Sequence, residues 1–263
     1  MSGSGNDFIM VDATREPAGE LGEPAVIAAL CARGTGIGAD GIVFLEPSNV
    51  AEFRMTYLNS DGSRAALCGN ASLCSSRLAA IRGLVGPSDF RIETDAGVLA
   101  ARLTESGAEV DLQPVVDVQT SLPLWLGNGE RWAAYALAGV PHVTVRVDDV
   151  SLAEVAQRGR VIRHDPSFAD GANVNFVSSD GTGTWRIRTY ERGVEGETLA
   201  CGTGSIATAI QLAARGEIAD SVELVTRSGR AHGIRLARRA DGAWLPSLSG
   251  EARLVFEGRF GEL

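Results

Sequence analysis

Lysine is absent from this chain of 263 residues, so every one of its 24 basic side chains is an arginine. Pyridoxal-phosphate enzymes hold their cofactor as a Schiff base with a lysine. A Walker-type phosphate loop also requires a lysine to contact the phosphates. Both kinds of site are therefore excluded.

Positive charge and long apolar runs are also scarce. The net charge of −9 argues against a nucleic-acid or anionic-membrane surface, because either would need a basic footprint. No apolar run approaches the length of a membrane span, and the first residues lack the basic and apolar regions of a signal peptide. The sequence predicts a cytoplasmic globular protein that binds neither nucleic acid nor membrane.

Cysteine and histidine are few. The four cysteines have no zinc-ribbon spacing and the three histidines are scattered, so no metal site is expected. Reduced thiols are the expectation for a cytoplasmic chain. Cys31 and Cys74 lie in apolar segments and are predicted to be small core residues. Cys68 and Cys201 remain to be explained.

These two cysteines share one local pattern. Cys68-Gly69-Asn70 and Cys201-Gly202-Thr203-Gly204 each precede a run of small apolar residues that ends at an Arg-Gly pair. Glycine is the usual residue just past a helix end, and a helix that is apolar nearly all round is a buried one. The pattern predicts two buried helices, each with a cysteine at its N-terminus.

The two patterns are copies of one another. Cys201 follows Cys68 by 133 positions, and the Arg-Gly pairs and a Thr-Tyr pair upstream recur at the same offset. A period of about half the chain indicates two duplicated domains. We predict domains at 1–113 and 114–250, the first completed by a C-terminal strand at 251–263. Many strands around one buried helix in each half indicate an α+β fold.

The remaining segments predict the following elements. Helices are expected at 24–31 and 150–158, and a ligand-facing loop at 33–41. Residues 91–94 and 97–103 should form a hairpin, and residues 113–123 a crossing into the second half. Strands are expected at 5–12, 42–45, 53–58, 108–112, 132–137, 141–148, 174–177, 185–190 and through the tail from 221 to 260.

A cysteine at the start of a buried helix has a defined chemistry. The helix N-terminus presents backbone N–H groups and a partial positive charge, which suit a carboxylate and favour a thiolate. If approximate two-fold symmetry brings both starts to one bound molecule, a thiol and a thiolate face opposite sides of a carbon. One removes a proton and the other delivers one to the opposite face. Such a stereoinversion next to a carboxylate needs no cofactor.

Several segments together resemble the family of diaminopimelate epimerases. The matching motifs, in family order, are residues 5–8, 36–41, 59–62, 68–70, 141–142 and 191–204. The resemblance implies two mirrored domains, each a β-barrel-like sheet around a central helix, and a homodimer. It also implies pyridoxal-independent interconversion of LL- and meso-diaminopimelate, a step in the formation of lysine and of cell-wall precursors.

The resemblance also implies roles for individual residues. The acid/base pair would be Cys68 and Cys201, supported by His142 and Glu191. Backbone N–H groups that hold the reacting carboxylate would come from Gly69, Asn70, Gly202 and Thr203. The amino group and the distal end of the substrate would be bound by Asn6, Asn59, Asn173, Glu191 and Arg192.

Four positions depart from the family pattern and leave alternatives open. Val140 stands where the family has an asparagine that contacts the distal end of diaminopimelate, Ala71 and Leu73 replace a glycine and an arginine, and Gly41 replaces a glutamine found in some members. A related cofactor-independent racemase of another amino acid, such as histidine, is therefore a second hypothesis. A proline-racemase-like enzyme is a weaker one, because that family has histidine where Asn70 stands.

A non-enzymatic alternative is a thiol redox sensor or an amino-acid binder on the same fold. Two cysteines with stabilised thiolates could form a disulfide. A sensor would not need the surrounding asparagine, glutamate and arginine residues, so the enzymatic hypothesis is preferred.

Overall fold

Both helices predicted after the Cys-Gly elements are present in the computed structural model, which describes residues 1–105 and 107–261. They span Gly69–Ile81 and Gly202–Ala214, each 13 residues long. Both end just before a glycine in the left-handed conformation, with φ of 71° at Gly83 and 72° at Gly216. A side chain there would be strained, so glycine ends each helix as predicted.

The chain forms two compact units. Unit 1 comprises Met1–Asp111 and the segment that begins at Ser249, and unit 2 comprises Leu112–Leu248. The chain therefore leaves unit 1 once and returns to it near its C-terminus.

Unit 1 contains eight complete strands and two α-helices among its described residues, together with a 3-10 turn at Gly19–Gly22. In chain order these are β1 (Ser2–Gly3), β2 (Asn6–Asp12), α1 (Pro24–Cys31), β3 (Gly41–Glu46), β4 (Phe53–Asn59), β5 (Arg64–Ala65), α2 (Gly69–Ile81), β6 (Phe90–Thr94), β7 (Gly97–Thr104) and β8 (Gly107–Asp111).

The sheet of unit 1 mixes parallel and antiparallel pairs around α2. Strand β2 pairs in parallel with β3, β3 antiparallel with β4, and β4 in parallel with β6, after which β6, β7 and β8 form a meander. Helix α1 contacts β3, and α2 contacts β1, β2, β3, β4, β7 and β8. The first five residues of β3, from Gly41, are all buried because helices contact this strand.

Unit 2 repeats this order of elements with one additional strand before its first α-helix, and it has a 3-10 turn at Val150–Leu152. In chain order these elements are β9 (Val118–Gln119), β10 (Glu130–Ala138), β11 (Val140–Val147), α3 (Val155–Arg163), β12 (Asn173–Ser179), β13 (Trp185–Glu191), β14 (Gly196–Thr198), α4 (Gly202–Ala214), β15 (Ser221–Val225), β16 (Ala231–Arg238) and β17 (Trp244–Glu251), whose last residues belong to unit 1.

The strand pairing of unit 2 matches that of unit 1. Strand β11 pairs in parallel with β12, β12 antiparallel with β13, and β13 in parallel with β15. Helix α3 contacts β12 and β13, and α4 contacts β10, β11, β12, β15 and β16. The apolar side chains of β11 and β12 form a core with α3 that includes Val143, Val145 and Phe176.

The predicted fold class is confirmed: each unit is a strand-rich sheet arranged around a buried helix. Helices α2 and α4 are the central helices, and ten residues of each are buried. No helix in the described part of the chain is long and apolar enough to cross a membrane.

The helix predicted at 150–158 is wrong in its bounds. Residues Val150–Leu152 form a 3-10 turn capped by the Asp149 side chain, and α3 runs from Val155 to Arg163. Gly159 does not end this helix. A Cβ at Gly159 would lie 2.5 Å from the Cβ of Tyr190, so glycine is needed there for close packing of α3 on β13.

Two other segments differ from expectation. The predicted crossing at 113–123 contains a short strand, β9, which pairs with Tyr135 and Ala136 of β10. At the C-terminus, β17 ends at Glu251 and Arg253 forms only an isolated bridge with Ser2. Residues 254–261 have no regular structure, and residues 262–263 of the predicted strand lie outside the described residues.

The packing of α3 on β13 generates a stability prediction. Gly159→Ala should destabilise the protein by about 1–3 kcal/mol, because the new methyl group overpacks the contact with Tyr190. The matched control is Gly86→Ala, since nothing lies within 4 Å of a Cβ at Gly86. The free energy of unfolding of this control should stay within about 1 kcal/mol of the wild-type value. Urea unfolding measures both, and equal midpoints for the two variants would contradict the packing argument.

Candidate active site

Cys68 and Cys201 occupy the same position relative to their helices. Their backbones are extended, with φ and ψ of −135° and 119° at Cys68 and −139° and 109° at Cys201. The first intrahelical bonds run from the Ser72 N–H to the Cys68 carbonyl, 2.9 Å, and from the Ser205 N–H to the Cys201 carbonyl, 3.0 Å. Both cysteines are therefore N-cap residues, as the sequence predicted.

The two serines reinforce this geometry with their side chains. The Ser72 hydroxyl donates to the Cys68 carbonyl at 3.0 Å, and the Ser205 hydroxyl donates to the Cys201 carbonyl at 3.1 Å. Sequence reasoning did not single out these serines. A serine stands four residues after each cysteine, and this shared spacing could have identified them.

The start of α4 presents several polar atoms around Cys201. The Gly204 N–H donates to the Cys201 sulfur at 3.4 Å, and the Thr203 hydroxyl lies 3.6 Å from that sulfur. A Cβ at Gly204 would collide with Asn175 Oδ1. The backbone N–H groups of Gly202 and Thr203 belong to the first turn, where a helix has no acceptor of its own. This turn can bind a carboxylate.

The start of α2 is tied to the loop before β2. The buried Asn70 side chain donates from Nδ2 to Asn6 Oδ1 at 2.7 Å. Asn6 in turn donates from Nδ2 to Asp40 Oδ2 at 2.9 Å. The structure thus brings together Asn6 and Asn70, which were both predicted to bind substrate, and it fixes the orientation of both amides.

An ion-pair group that the sequence did not reveal supports these amides. The Arg33 guanidinium lies 2.7 Å from Asp7 and 2.8 Å from Asp40. Burial opposes ionisation of Asp7, but the hydrogen bonds and charge of Arg33 outweigh it and lower the pKa of this carboxyl. The loop at 33–41 is therefore anchored to the site by charge. The sequence feature that could have indicated this anchor is Asp40, an acidic residue next to a glycine-rich segment.

Asn59 occupies the end of β4, in a turn. Its Nδ2 donates to the Ser63 hydroxyl at 3.0 Å, and its backbone N–H donates to the Ser63 carbonyl at 2.8 Å. The described contacts of its side chain are thus with the turn, not with the other predicted site residues.

In unit 2, three predicted residues meet where β12 begins and β13 ends. The Arg192 backbone N–H donates to Asn173 Oδ1 at 2.7 Å, and the Arg192 guanidinium donates to the Asp170 carbonyl at 3.1 Å. Glu191 is the last residue of β13. The antiparallel pairing of β12 and β13 explains why residues far apart in sequence are neighbours here.

His142 lies fully buried on β11. Burial, with the positive charge of Arg192 as a second cause, lowers the pKa of His142 to about 3. The ring is therefore neutral at physiological pH. Its Nδ1 lies 3.3 Å from Nδ2 of Asn175, a residue that sequence reasoning missed.

The other two cysteines are core residues, which confirms their prediction. Cys31 and Cys74 are both buried. Burial raises the pKa of the Cys74 thiol to about 12 and also raises the pKa of Cys31. Neither thiol is available as a nucleophile or base at neutral pH.

A cavity of about 400 Å³ in unit 2 adjoins these residues. Its wall includes Pro141, next to His142, and Asp170, whose carbonyl accepts from Arg192. Tyr135 and Phe168 stack within the wall with their ring centroids 6.0 Å apart. The cavity combines apolar surface with carboxylates and can hold a flexible chain with a cationic end.

Comparison with known proteins gives a consistent result. The family model for diaminopimelate epimerase matches residues 1–118 and 134–254. A diaminopimelate epimerase of Gemmatimonas aurantiaca is 42% identical over 100% of this chain and 98% of its own length. One from Archaeoglobus fulgidus is 42% identical over 80% of this chain and 78% of its own length.

Solved structures share the fold at low sequence identity. A putative phenazine biosynthesis protein from Clostridium difficile has a TM-score of 0.68 at 13% identity, covering 96% of this chain and 92% of its own. A hydroxyproline epimerase from Agrobacterium vitis has a TM-score of 0.62 at 20% identity, covering 90% and 79%. The family match and the near full-length relative show that this chain belongs to the diaminopimelate epimerase family.

Proposed function

We propose that this chain is an isomerase that interconverts LL- and meso-diaminopimelate by a two-base cysteine mechanism without pyridoxal phosphate. The observation that carries the proposal is the cysteine at the N-cap of each central helix, in a chain that belongs to this family. The helix starts supply both the acid/base groups and donors for a carboxylate.

The proton transfers balance within the two cysteines. The thiolate of one cysteine takes the α-proton and becomes a thiol, while the thiol of the other delivers its proton to the opposite face of the α-carbon and becomes a thiolate. Negative charge that develops on the α-carbon spreads onto the carboxylate, where first-turn N–H groups stabilise it. The roles of Cys68 and Cys201 are exchanged after each turnover.

Other residues take roles around this pair. The carboxylate-binding N–H groups are those of Gly69, Asn70, Gly202 and Thr203. The amino group and distal end are bound by Asn6, Asn59, Asn173, Glu191 and Arg192. His142 and Glu191 support the thiols.

The cavity in unit 2 is proposed to receive the distal end of the substrate. Arg192 supplies a positive charge at its edge, and Asp117 and Asp170 in the wall supply negative charge. A distal group that carries both an ammonium and a carboxylate is complementary to this combination.

Val140 favours a second candidate function. It is the first residue of β11, and its apolar side chain cannot hydrogen-bond a polar distal group. A site that lacks such a bond discriminates less strongly for diaminopimelate. The second candidate is a cofactor-independent racemase of another amino acid, such as histidine.

We further propose a homodimer that functions in the cytoplasm. The proposal of a homodimer rests on the resemblance to the family. The cytoplasmic location suits four cysteines that form no disulfide among the described residues, because thiols stay reduced there.

Isotope exchange tests the reaction. Purified enzyme incubated with LL-diaminopimelate in D2O, without pyridoxal phosphate, should place one deuterium on each inverted α-carbon, because the delivered proton comes from a thiol that exchanges with solvent. Mass spectrometry and chiral chromatography measure the product. Deuterium on histidine or another amino acid, and none on diaminopimelate, would assign the second candidate instead.

Cysteine variants test the acid/base pair. Cys68→Ala and Cys201→Ala should each lower kcat by about 10²–10⁴-fold, the usual effect of losing a positioned acid or base. Cys74→Ala is the matched control, since this buried thiol lies in α2 but takes no part in the reaction, and its kcat should stay near wild type. Thermal melting verifies folding. Wild-type turnover in either test variant would refute the two-base assignment.

Sedimentation velocity tests the assembly. The chain has a mass of 27.5 kDa, so a homodimer should sediment at twice that mass at micromolar concentration. A single monomeric species that retains full activity would contradict the proposed dimer.

A further inference from the structure

Asn175 lies at the centre of a buried polar group beneath α4. It pairs in register with Thr189 of β13 and with Thr144 of β11, so these side chains share one face of the sheet. Asn175, Thr144 and Thr189 are all buried. The steric conflict of a Cβ at Gly204 with Asn175 Oδ1 shows that this face contacts the first turn of α4.

The orientation of the Asn175 amide is fixed by its neighbours. Nδ2 lies 3.2 Å from the Val143 carbonyl, which can only accept a hydrogen bond. Oδ1 accepts from the Thr189 hydroxyl at 2.9 Å. A flipped amide would place its oxygen against the Val143 carbonyl oxygen, so the nitrogen must face Val143 and His142.

This orientation dictates where the proton lies on His142. The Asn175 Nδ2 group donates, so Nδ1 of His142, 3.3 Å away, must present its lone pair. A neutral imidazole with an unprotonated Nδ1 carries its proton on Nε2. The low pKa of His142, caused by burial, agrees with the neutral form.

The Nε2–H group is a buried donor without an internal acceptor. Within residues 1–105 and 107–261, His142 Nε2 is buried and has no hydrogen-bond partner. An unpaired buried donor destabilises the folded protein. A group of this kind in a native protein calls for a functional explanation, and an acceptor that binds with the substrate provides one.

We propose that Asn175 is a positioning residue that holds His142 in the neutral Nε2–H tautomer, so that His142 serves as a fixed hydrogen-bond donor and not as a base. The acceptor is an anionic atom present in the complex with the bound amino acid. With Nδ1 occupied by Asn175 and Nε2 already protonated, His142 cannot take a proton from a cysteine thiol. His142 can then support the thiols only by donating a hydrogen bond, beside the N–H groups of the helix N-terminus. This role rests on the proposed function for the reaction that it serves.

The tautomer can be measured without any turnover. Long-range proton–nitrogen NMR correlation on nitrogen-15-labelled protein at neutral pH distinguishes a nitrogen that carries a proton from one that has a lone pair. His142→Gln identifies the His142 signals among the three histidines. We expect a protonated Nε2 and an unprotonated Nδ1. A proton on Nδ1, or a doubly protonated ring, would overturn the proposal.

Two substitutions test the role of Asn175. In Asn175→Asp a carboxylate, which can only accept a hydrogen bond, replaces the amide group that donated one to His142. The ring proton of His142 should therefore move to Nδ1. In Asn175→Ala the donor is lost and both tautomers should be populated. Both variants should lower kcat by about 10²-fold, the order of magnitude for one preorganised donor, with little change in KM. A His142 spectrum identical to wild type in the variants would refute the assignment.

Thr144→Val is the matched control. Thr144 lies beside Asn175 in the same ladder, is equally buried, and its hydroxyl is 3.4 Å from that of Thr208 on α4. The variant removes a buried polar atom without touching His142, so its kcat and its His142 spectrum should match wild type. A loss of kcat equal to that of Asn175→Ala would reduce the role of Asn175 to general packing and overturn the proposal.

The measurements separate this proposal from the proposed function. If wild-type protein inverts no diaminopimelate but shows the Nε2–H tautomer, which Asn175→Asp reverses, the positioning of His142 stands and the reaction is wrong. If diaminopimelate is inverted while Nδ1 carries the proton, the reaction stands and the role of Asn175 fails. Should Asn175→Asp not fold, Asn175→Ala and the wild-type spectrum decide.

Discussion

The first turn of a buried helix carries backbone N–H groups that the helix itself cannot satisfy, and this protein begins two such helices at a cysteine. The strands of each unit are arranged around that helix. A helix surrounded by sheet must be small and apolar, which accounts for the alanine and serine content of α2 and the alanine content of α4. Its polar start presents N–H groups that need polar partners.

The two units provide this polar surrounding differently. In unit 1, Asn70 at the helix start bonds to Asn6, which is held by Asp40 and the Arg33 ion pairs. In unit 2, Asn175 lies under the start of α4 and contacts His142. A charged network half-exposed to solvent thus supports one helix start, and a neutral buried network supports the other. Neutrality suits the second location, because an unpaired charge would be costly in a fully buried position.

Much of the fold could be predicted from local patterns. Helix α1 was predicted at its observed bounds, and α2 and α4 were predicted from their cysteine starts and glycine ends. Helix α3 was predicted at 150–158, whereas it runs from Val155 to Arg163 and passes through Gly159. The local sequence cannot show that Tyr190, on a strand 31 positions later, approaches too closely for a side chain. A glycine that ends a helix and a glycine that permits close packing look the same in sequence.

The sequence by itself determined the duplication, the two cysteine N-caps, the absence of lysine and the family motifs, because each of these depends on residue identity and spacing along the chain. Only the tertiary structure decided which amides and charges meet. Asp7, Arg33 and Asp40 come together through the parallel pairing of β2 and β3, and His142, Asn175 and Thr189 through three adjacent strands. The direction of a hydrogen bond, and with it the tautomer of His142, depends on neighbours that are distant in sequence. The cysteines are therefore apparent from the chain alone, whereas the contact between Asn175 and His142 is not.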